Sequence, residues 1–286
     1  LAVQDFYVKI FIILRKRCSI QIILQESYLM IRTLNKKEIY VFVAVRMKSS
    51  RLPLKALSDI HGKPLIQRLV NRLLETTPQN RIILCTSVHS QDDAIQYFAS
   101  ENGLNCFRGD EMDVMGRFLA AAEVYSAGTI ARVTGDNPLT DPYMLAEMFK
   151  QHLAMDSEYT YNDDLPIGTR AEIIDVSALE RIHAQLSDPS SSEYMTYMLN
   201  RPDKMKVHKV KALSSLLKRP EISLTVDTPL DLELIRDIYT HFKEESPSLE
   251  SIIKWLDEKP EKKISIDNTP SILPRDINCS FRDDLS

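Results

Sequence analysis

Between residues 39 and 154 a short β-prone apolar run is set against an amphipathic stretch four times over, and few folds accept that rhythm. Ile39-Tyr40-Val41-Phe42-Val43-Ala44-Val45 is apolar throughout, as expected of a strand buried on both faces. Pro64 opens a predicted helix with Leu65, Ile66, Leu69, Val70, Leu73 and Leu74 on one stripe. Residues 81–85 read as a second strand. The next predicted helix is capped by Ser90, carries Asp92 and Asp93 in its first turn and ends at Gly103. A strand over 104–107, a helix over 113–125, a strand over 129–133 and a helix from a Thr140 cap to about residue 154 complete the series. Right-handed βαβ crossovers follow, and with them an α/β fold: a mostly parallel central sheet flanked by helices.

After residue 155 the rhythm changes. Short strands near 158–162, 170–175, 205–211 and 222–226, with helices over 177–187 and 193–200, predict a small mixed-sheet extension of the same domain. Thr228-Pro229-Leu230-Asp231 is a strong helix start: a cap, a proline at the first position and an acid in the first turn. The expected division is an N-terminal extension over 1–37, one domain over 38–259 and a C-terminal tail over 260–286.

Composition narrows the class of function. Lys and Arg total 36 against 40 Asp and Glu, a net charge of −4 that argues against broad nucleic-acid binding. Cysteines 18, 85, 106 and 279 have no CxxC spacing, so neither a disulfide framework nor a zinc knuckle is expected, and a reducing cytoplasm is the natural setting. The apolar run Phe6–Leu14 is too short to span a bilayer, and its basic cluster follows it, the reverse of a signal peptide, so no membrane association is expected. The six histidines are scattered, without HExxH. Met112, Met115, Met144, Met148, Met195 and Met198 lie at helical spacings and read as core filler, and Trp255 as a packing or contact residue.

In parallel α/β sheets ligands bind beyond the carboxyl ends of the strands, so the loops there are where chemistry is sought. The first of them, from Arg46 to Lys63, holds five basic residues (46, 48, 51, 55 and 63) and one acid, Asp59. Such cations suit a polyphosphate, although a solvated basic surface has the same composition. With seven glycines in the chain, no Walker or dinucleotide fingerprint occurs, and side chains would have to do the gripping. Thr134-Gly135-Asp136-Asn137-Pro138 follows the fourth strand, and Val226-Asp227-Thr228-Pro229 ends a later one. Each also reads as ordinary turn or helix-start chemistry. Should Asp136 and Asp227 converge beside the basic loop, they would suit Mg²⁺, which takes one or two carboxylates with water and phosphate oxygens.

Taken in order, Val43 to Leu57, Gly62-Lys63-Pro64-Leu65, Thr134 to Leu139 and Leu224 to Leu232 resemble successive motifs of the sugar cytidylyltransferases. That family includes the synthetases of CMP-activated 3-deoxy-octulosonic and nonulosonic acids, and the nearest resemblance is to the spore-coat polysaccharide branch. The likeness spans about residues 39 to 243, and Arg-x-x-Ser-x-Arg-Leu-Pro-x-Lys is its most specific part. It implies a glycosyltransferase-A-like (Rossmann-like) fold, a cytoplasmic homodimer, and transfer of CMP from CTP to a sugar acid with Mg²⁺ and release of pyrophosphate. By this resemblance Arg46, Ser49, Arg51 and Lys55 hold the triphosphate, and Asp136 and Asp227 hold the metal. Ser87, Arg108, Asp113 and Arg117 fall where family members contact base and ribose, and Gly168, Glu172, Glu193 and Thr196 where they contact the sugar. Arg46, Lys55, Asp136 and Asp227 are the implied catalytic set. The chain departs from the pattern at Lys48 and Leu54, where the family often has glycine, at Arg170, where it often has an acid, and at Tyr194-Met195, which replace a His-Val pair. A UTP- or GTP-dependent sugar-phosphate nucleotidyltransferase and a catalytically weakened nucleotide-binding homologue remain open beside it. A metal-dependent glycosyltransferase is the third alternative, poorly matched by Asp163-Asp164.

Overall fold

The computed structural model describes residues 38–49 and 51–264, so the expectation for 1–37 and most of that for 260–286 lie outside the described residues. In chain order the strands are β1 (Glu38–Ala44), β2 (Asp59–Ile60), β3 (Lys63–Pro64), β4 (Ile82–Ser87), β5 (Asn105–Gly109), β6 (Ala127–Thr134), β7 (Tyr159–Tyr161), β8 (Glu172–Asp175) and β9 (Val207–Lys209). The helices are α1 (Leu65–Leu73), α2 (Asp93–Glu101), α3 (Val114–Tyr125), α4 (Pro142–Ala154), α5 (Val176–Gln185), α6 (Met195–Leu199), α7 (Pro229–Phe242) and α8 (Leu249–Glu258). A seven-stranded sheet runs in the order β5-β4-β1-β6-β8-β7-β9. Strands β5, β4, β1 and β6 are parallel, and β8 reverses the direction against β6, which is the expected mixed extension.

Helices cover both faces. One core packs α1, α2, α4, α7 and α8 against Val41, Val43, Leu84 and Val133. The other packs α3, α5 and α6 against Phe42, Ile83, Cys85 and Ile130. The consecutive residues Val41, Phe42 and Val43 thus serve opposite cores at 0% exposure each, which is why β1 reads as unbroken apolar sequence. Trp255 belongs to the first core and stacks on His241 with ring centroids 5.3 Å apart.

Several boundaries differ from expectation, each for a local reason. Pro64 is the cap before α1, with the helix proper starting at Leu65. Asp141, not Thr140, caps α4: its carboxylate accepts from Met144 N at 2.7 Å, while Thr140 Oγ1 donates to Asn137 O. Ser90 opens a 3₁₀ turn, and Asp92 is buried instead of sitting on an exposed helix start. Residues 193–200 divide between a 3₁₀ stretch, Pro189–Tyr194, and α6. The predicted strand over 222–226 is reduced to isolated bridge positions, and among the described residues Ser223 bridges Ile167 in parallel. Met112 is 55% exposed, whereas the other five methionines named with it are buried. The start of α7 has the full capping box, Thr228 and Asp231 satisfying each other's backbone. The chain stays on the core to Ile264, whose carbonyl accepts from Ser223 N at 2.9 Å.

Candidate active site

The parallel register sets Ala44 beside Thr134, so β1 and β6 release their following loops at the same edge of the sheet. Gly135 N donates to Ala44 O at 2.8 Å, and a Cβ at Gly135 would lie 2.7 Å from Val45 Cβ. Only glycine permits that approach, and it delivers Asp136 alongside the basic loop.

The loop itself is folded back. Leu54 N donates to Met47 O, and Met47 N donates to Asp92 Oδ1 at 2.7 Å. The other Asp92 oxygen accepts from Ser87 N at 3.1 Å and from Ser87 Oγ. Burial alone would raise the Asp92 carboxyl, yet these donors hold it below the ordinary value. Leu54, standing where the family often has glycine, has φ 62°, the left-handed region that glycine adopts without strain. The turn it makes feeds Lys55 inward.

Lys55 is the centre of the arrangement. Its Nζ donates to Asp136 Oδ2, Asp227 Oδ1 and Val226 O, each at 2.9 Å. Burial opposes the charged ammonium, but the two carboxylates prevail and raise its pKa. Asp227 arrives from a distant part of the sequence by backbone threading: Ile167 N to Ile222 O, Leu224 N to Ile167 O and Val226 N to Asp136 O, all within 2.9 Å. Asp231 Oδ2 then accepts from Asp227 N and Thr228 N, fixing the residue at the start of α7.

Around this centre lies a cleft of 640 Å³. Arg46, Ser49, Arg51, Lys55, Arg117, Asp136, Glu193 and Asp227, all expected from the sequence, line it. Three cations of its rim are held by acids: Arg46 by Glu193 at 3.0 Å, Lys48 by Glu111 at 3.0 Å and Arg51 by Asp227 at 3.1 Å. A polyphosphate entering with a divalent cation would exchange partners with these pairs, leaving the cleft's charge balanced.

The remaining expected residues lie off the cleft lining. Ser87 is buried against Asp92. Arg108 is spent on Ser87 O, His89 O, Asp93 and Gln96. Asp113 caps α3 through Gly116 N, and also accepts from Ser192 Oγ and meets His183 Nε2 at 2.6 Å. Gly168, at φ 84°, lies so close to the 224–225 backbone that a Cβ would sit 2.2 Å from Thr225 N. The Glu172 carboxylate is occupied by Arg132, Tyr159 and Thr196. Residues missed in the sequence are Asp92 as the loop's tether, Glu111 and Met112 on the cleft wall, and Arg132 in its floor. For Arg132 a signal existed, because a charge inside the apolar run Thr129 to Val133 needs a reason.

The fold and this cleft define a nucleotidyltransferase of Rossmann-like architecture. The profile of the cytidylyltransferase family matches residues 40–253, and the chain belongs to that family: it is a CTP-dependent nucleotidyltransferase. It is 30% identical to the spore coat polysaccharide biosynthesis protein SpsF of Bacillus subtilis, over 78% of this chain and 96% of the relative. It is 31% identical to an uncharacterised protein of Methanocaldococcus jannaschii, over 77% of this chain and 91% of that one. A solved cytidylyltransferase from Leptospira borgpetersenii superposes with a TM-score of 0.74 at 24% identity, covering 83% of this chain and all of the other. The CMP:2-keto-3-deoxy-manno-octonic acid synthetase solved with CTP superposes with a TM-score of 0.54 at 17% identity, over 72% of this chain and 99% of that one. No helix among the described residues is long and apolar enough to cross a membrane.

The donor set fits a hard divalent cation. Among the described residues no three His, Cys, Asp or Glu side chains converge as a ready metal cage. Asp136 and Asp227, drawn together at Lys55, would instead offer carboxylate oxygens to a divalent cation whose shell phosphate oxygens and water complete.

Proposed function

We propose that the chain transfers CMP from CTP to a sugar acid of the nonulosonic or 3-deoxy-octulosonic type, releasing pyrophosphate, in the synthesis of a surface polysaccharide or glycan. The observation that carries this reading is the convergence of Asp136, Asp227 and Lys55 at one point of a cation-lined cleft. Support for the acceptor class comes from the relatives: SpsF acts in polysaccharide biosynthesis by its name, and 3-deoxy-manno-octulosonate cytidylyltransferases match about half of the chain at 29–31% identity. We assign the reaction to a domain over 38–259, with 260–264 packed on it.

In this mechanism a hydroxyl of the sugar acid attacks the α-phosphorus in line, and pyrophosphate leaves. The chain's part is positioning and charge neutralisation, since phosphoryl transfer asks little covalent chemistry of a protein. Arg46 and Arg51 turn from Glu193 and Asp227 to the β- and γ-phosphates, and Ser49 adds a hydroxyl donor. Lys55 gives up its carboxylate partners and stabilises the charge growing on the departing pyrophosphate. Asp136 and Asp227 would hold the Mg²⁺, which, when bound, polarises the α-phosphoryl group. A related mycobacterial protein, solved with manganese at 14% identity and a TM-score of 0.50, shares the fold and prompts Mn²⁺ as an alternative ion to try.

The reading is tested by pyrophosphate release with each ribonucleoside triphosphate against a panel of 2-keto sugar acids and sugar 1-phosphates. Release is expected from CTP with a sugar acid and lost on chelation of divalent ions. Release confined to UTP or GTP with a sugar phosphate overturns it, as does stabilisation by CTP without turnover of any acceptor.

A further inference from the structure

Arg132 is a cation lining the cleft, with two of its five N–H donors used. Its Nη1 donates to Glu172 and to Thr196 Oγ1, the latter at 3.3 Å. Its Nε is buried without a partner, and Nη2 has none among the described residues. Nε and Nη2 form one side of the guanidinium fork, the edge that takes a carboxylate through two parallel hydrogen bonds. A buried donor left unpaired costs free energy until a ligand supplies its partner.

Glu172 explains why the fork points as it does. It is the direct cross-strand partner of Arg132 in the β6–β8 ladder. One of its oxygens accepts from Tyr159 OH and Thr196 Oγ1, the other from Arg132. Burial would push this carboxyl up, but Arg132 and the two hydroxyls hold it below the ordinary value, so it stays an anion. A carboxylate engaged by three donors is committed to holding Arg132 and its neighbours in place.

Placement separates Arg132 from the phosphate-holding groups. Arg46, Arg51 and Lys55 come from the loop after β1, the neighbour of β6 in the parallel half of the sheet, and Arg117 comes from α3. The partners of Arg132 come from β8, which flanks β6 opposite β1, and from α6, and Asp136 follows the end of β6 itself.

We propose that Arg132 binds the carboxylate of the acceptor sugar acid through its Nε–Nη2 edge, and that Glu172 is a positioning residue acting through it. This rests on the sugar-acid reading above and adds the residue that tells an acid from its neutral analogue. The planar fork matches a planar carboxylate, and the Glu172 anion beside it disfavours a dianionic phosphate.

The experiment compares a turned-over sugar acid with its methyl ester, in the wild type, in Arg132→Met and in the double variant Arg132→Met/Glu172→Gln, which leaves no unpaired buried charge. The wild type is expected to prefer the acid by at least about 10²-fold in kcat/KM, because a site built to pair a polar group leaves it unpaired with the wrong analogue. Both variants are expected to raise the KM for the acid by about 10²-fold, to keep the KM for CTP within about twofold, and to lose the preference over the ester. Thermal melting of the double variant establishes that it is folded. Equal use of ester and acid by the wild type overturns the role of Arg132 while leaving the reaction intact, as does a parallel rise in the KM for CTP. Wild-type failure on every sugar acid overturns the sugar-acid reading itself, and the proposal with it.

Discussion

At Lys55 one ammonium does what no neutral side chain can do: it lets two carboxylates sit close together before any ligand arrives. Its side chain is 13% exposed, so the interaction is only partly screened by solvent. Asp136→Asn and Asp227→Asn keep a hydrogen-bond acceptor for Nζ but remove a charge from the proposed metal site. Each is expected to lower the rate of pyrophosphate release by about 10²–10³-fold in a variant that still melts cooperatively. Near-normal turnover in either variant would remove that carboxylate from the mechanism. Leu54 is a second matter settled at one residue. Held at φ 62° and 55% exposed, it pays a left-handed penalty with little burial in return. Leu54→Gly should stabilise the fold by about 0.5–1 kcal/mol, the relief being offset in part by the freedom glycine loses on folding, as read from denaturant midpoints. The sequence flagged this position only through its departure from the family pattern; the backbone angle gives the departure its physical content.

Among the elements, the basic loop shows how a surface-like sequence becomes a fixed binding edge. Nothing in residues 46–57 specifies a shape by itself, since their charges are those of any solvated loop. The shape comes from the buried Asp92, which ties Met47 N to Ser87 across two strand ends. Asp92→Ala leaves two buried N–H groups without their acceptor and should cost about 1–3 kcal/mol, measured by equilibrium unfolding. Because this carboxyl titrates lower in the folded chain than the ordinary 3.8, its contribution is fully present above that pH. It is lost as pH falls through the lower, folded value. Limited proteolysis should therefore find the 46–57 loop newly susceptible only below about pH 3.8, and in Asp92→Ala already at neutral pH. The strands themselves were legible, because burial on both faces leaves an apolar run that little else produces. Asp92 was not, since an acid two residues past a serine fits a helix cap as well as an internal tether.

Across the whole molecule, the site depends on a crossing that local sequence cannot express. The 222–227 segment lies against 166–168 and hands Asp227 to Asp136, and at Gly168 there is no room for a side chain between the two backbones. Gly168→Ala places a Cβ against Thr225 N at a left-handed φ, and is expected to cost roughly 3 kcal/mol and to weaken CTP binding through displacement of Asp227. A melting curve and a CTP titration check the two effects, and unaltered CTP affinity in a destabilised variant would detach Gly168 from the site. By itself the sequence determined the parallel sheet, the helices on both of its faces and the family motifs, because hydrophobic period and short-range turn chemistry are local properties. Tertiary structure alone decided that Glu172 is consumed by Arg132, that Arg108 and Asp113 are spent on neighbouring elements, and that Lys55 joins the two aspartates. Those outcomes are contacts between residues on different elements, set by strand order and backbone threading, and such pairings leave no periodic trace along the chain.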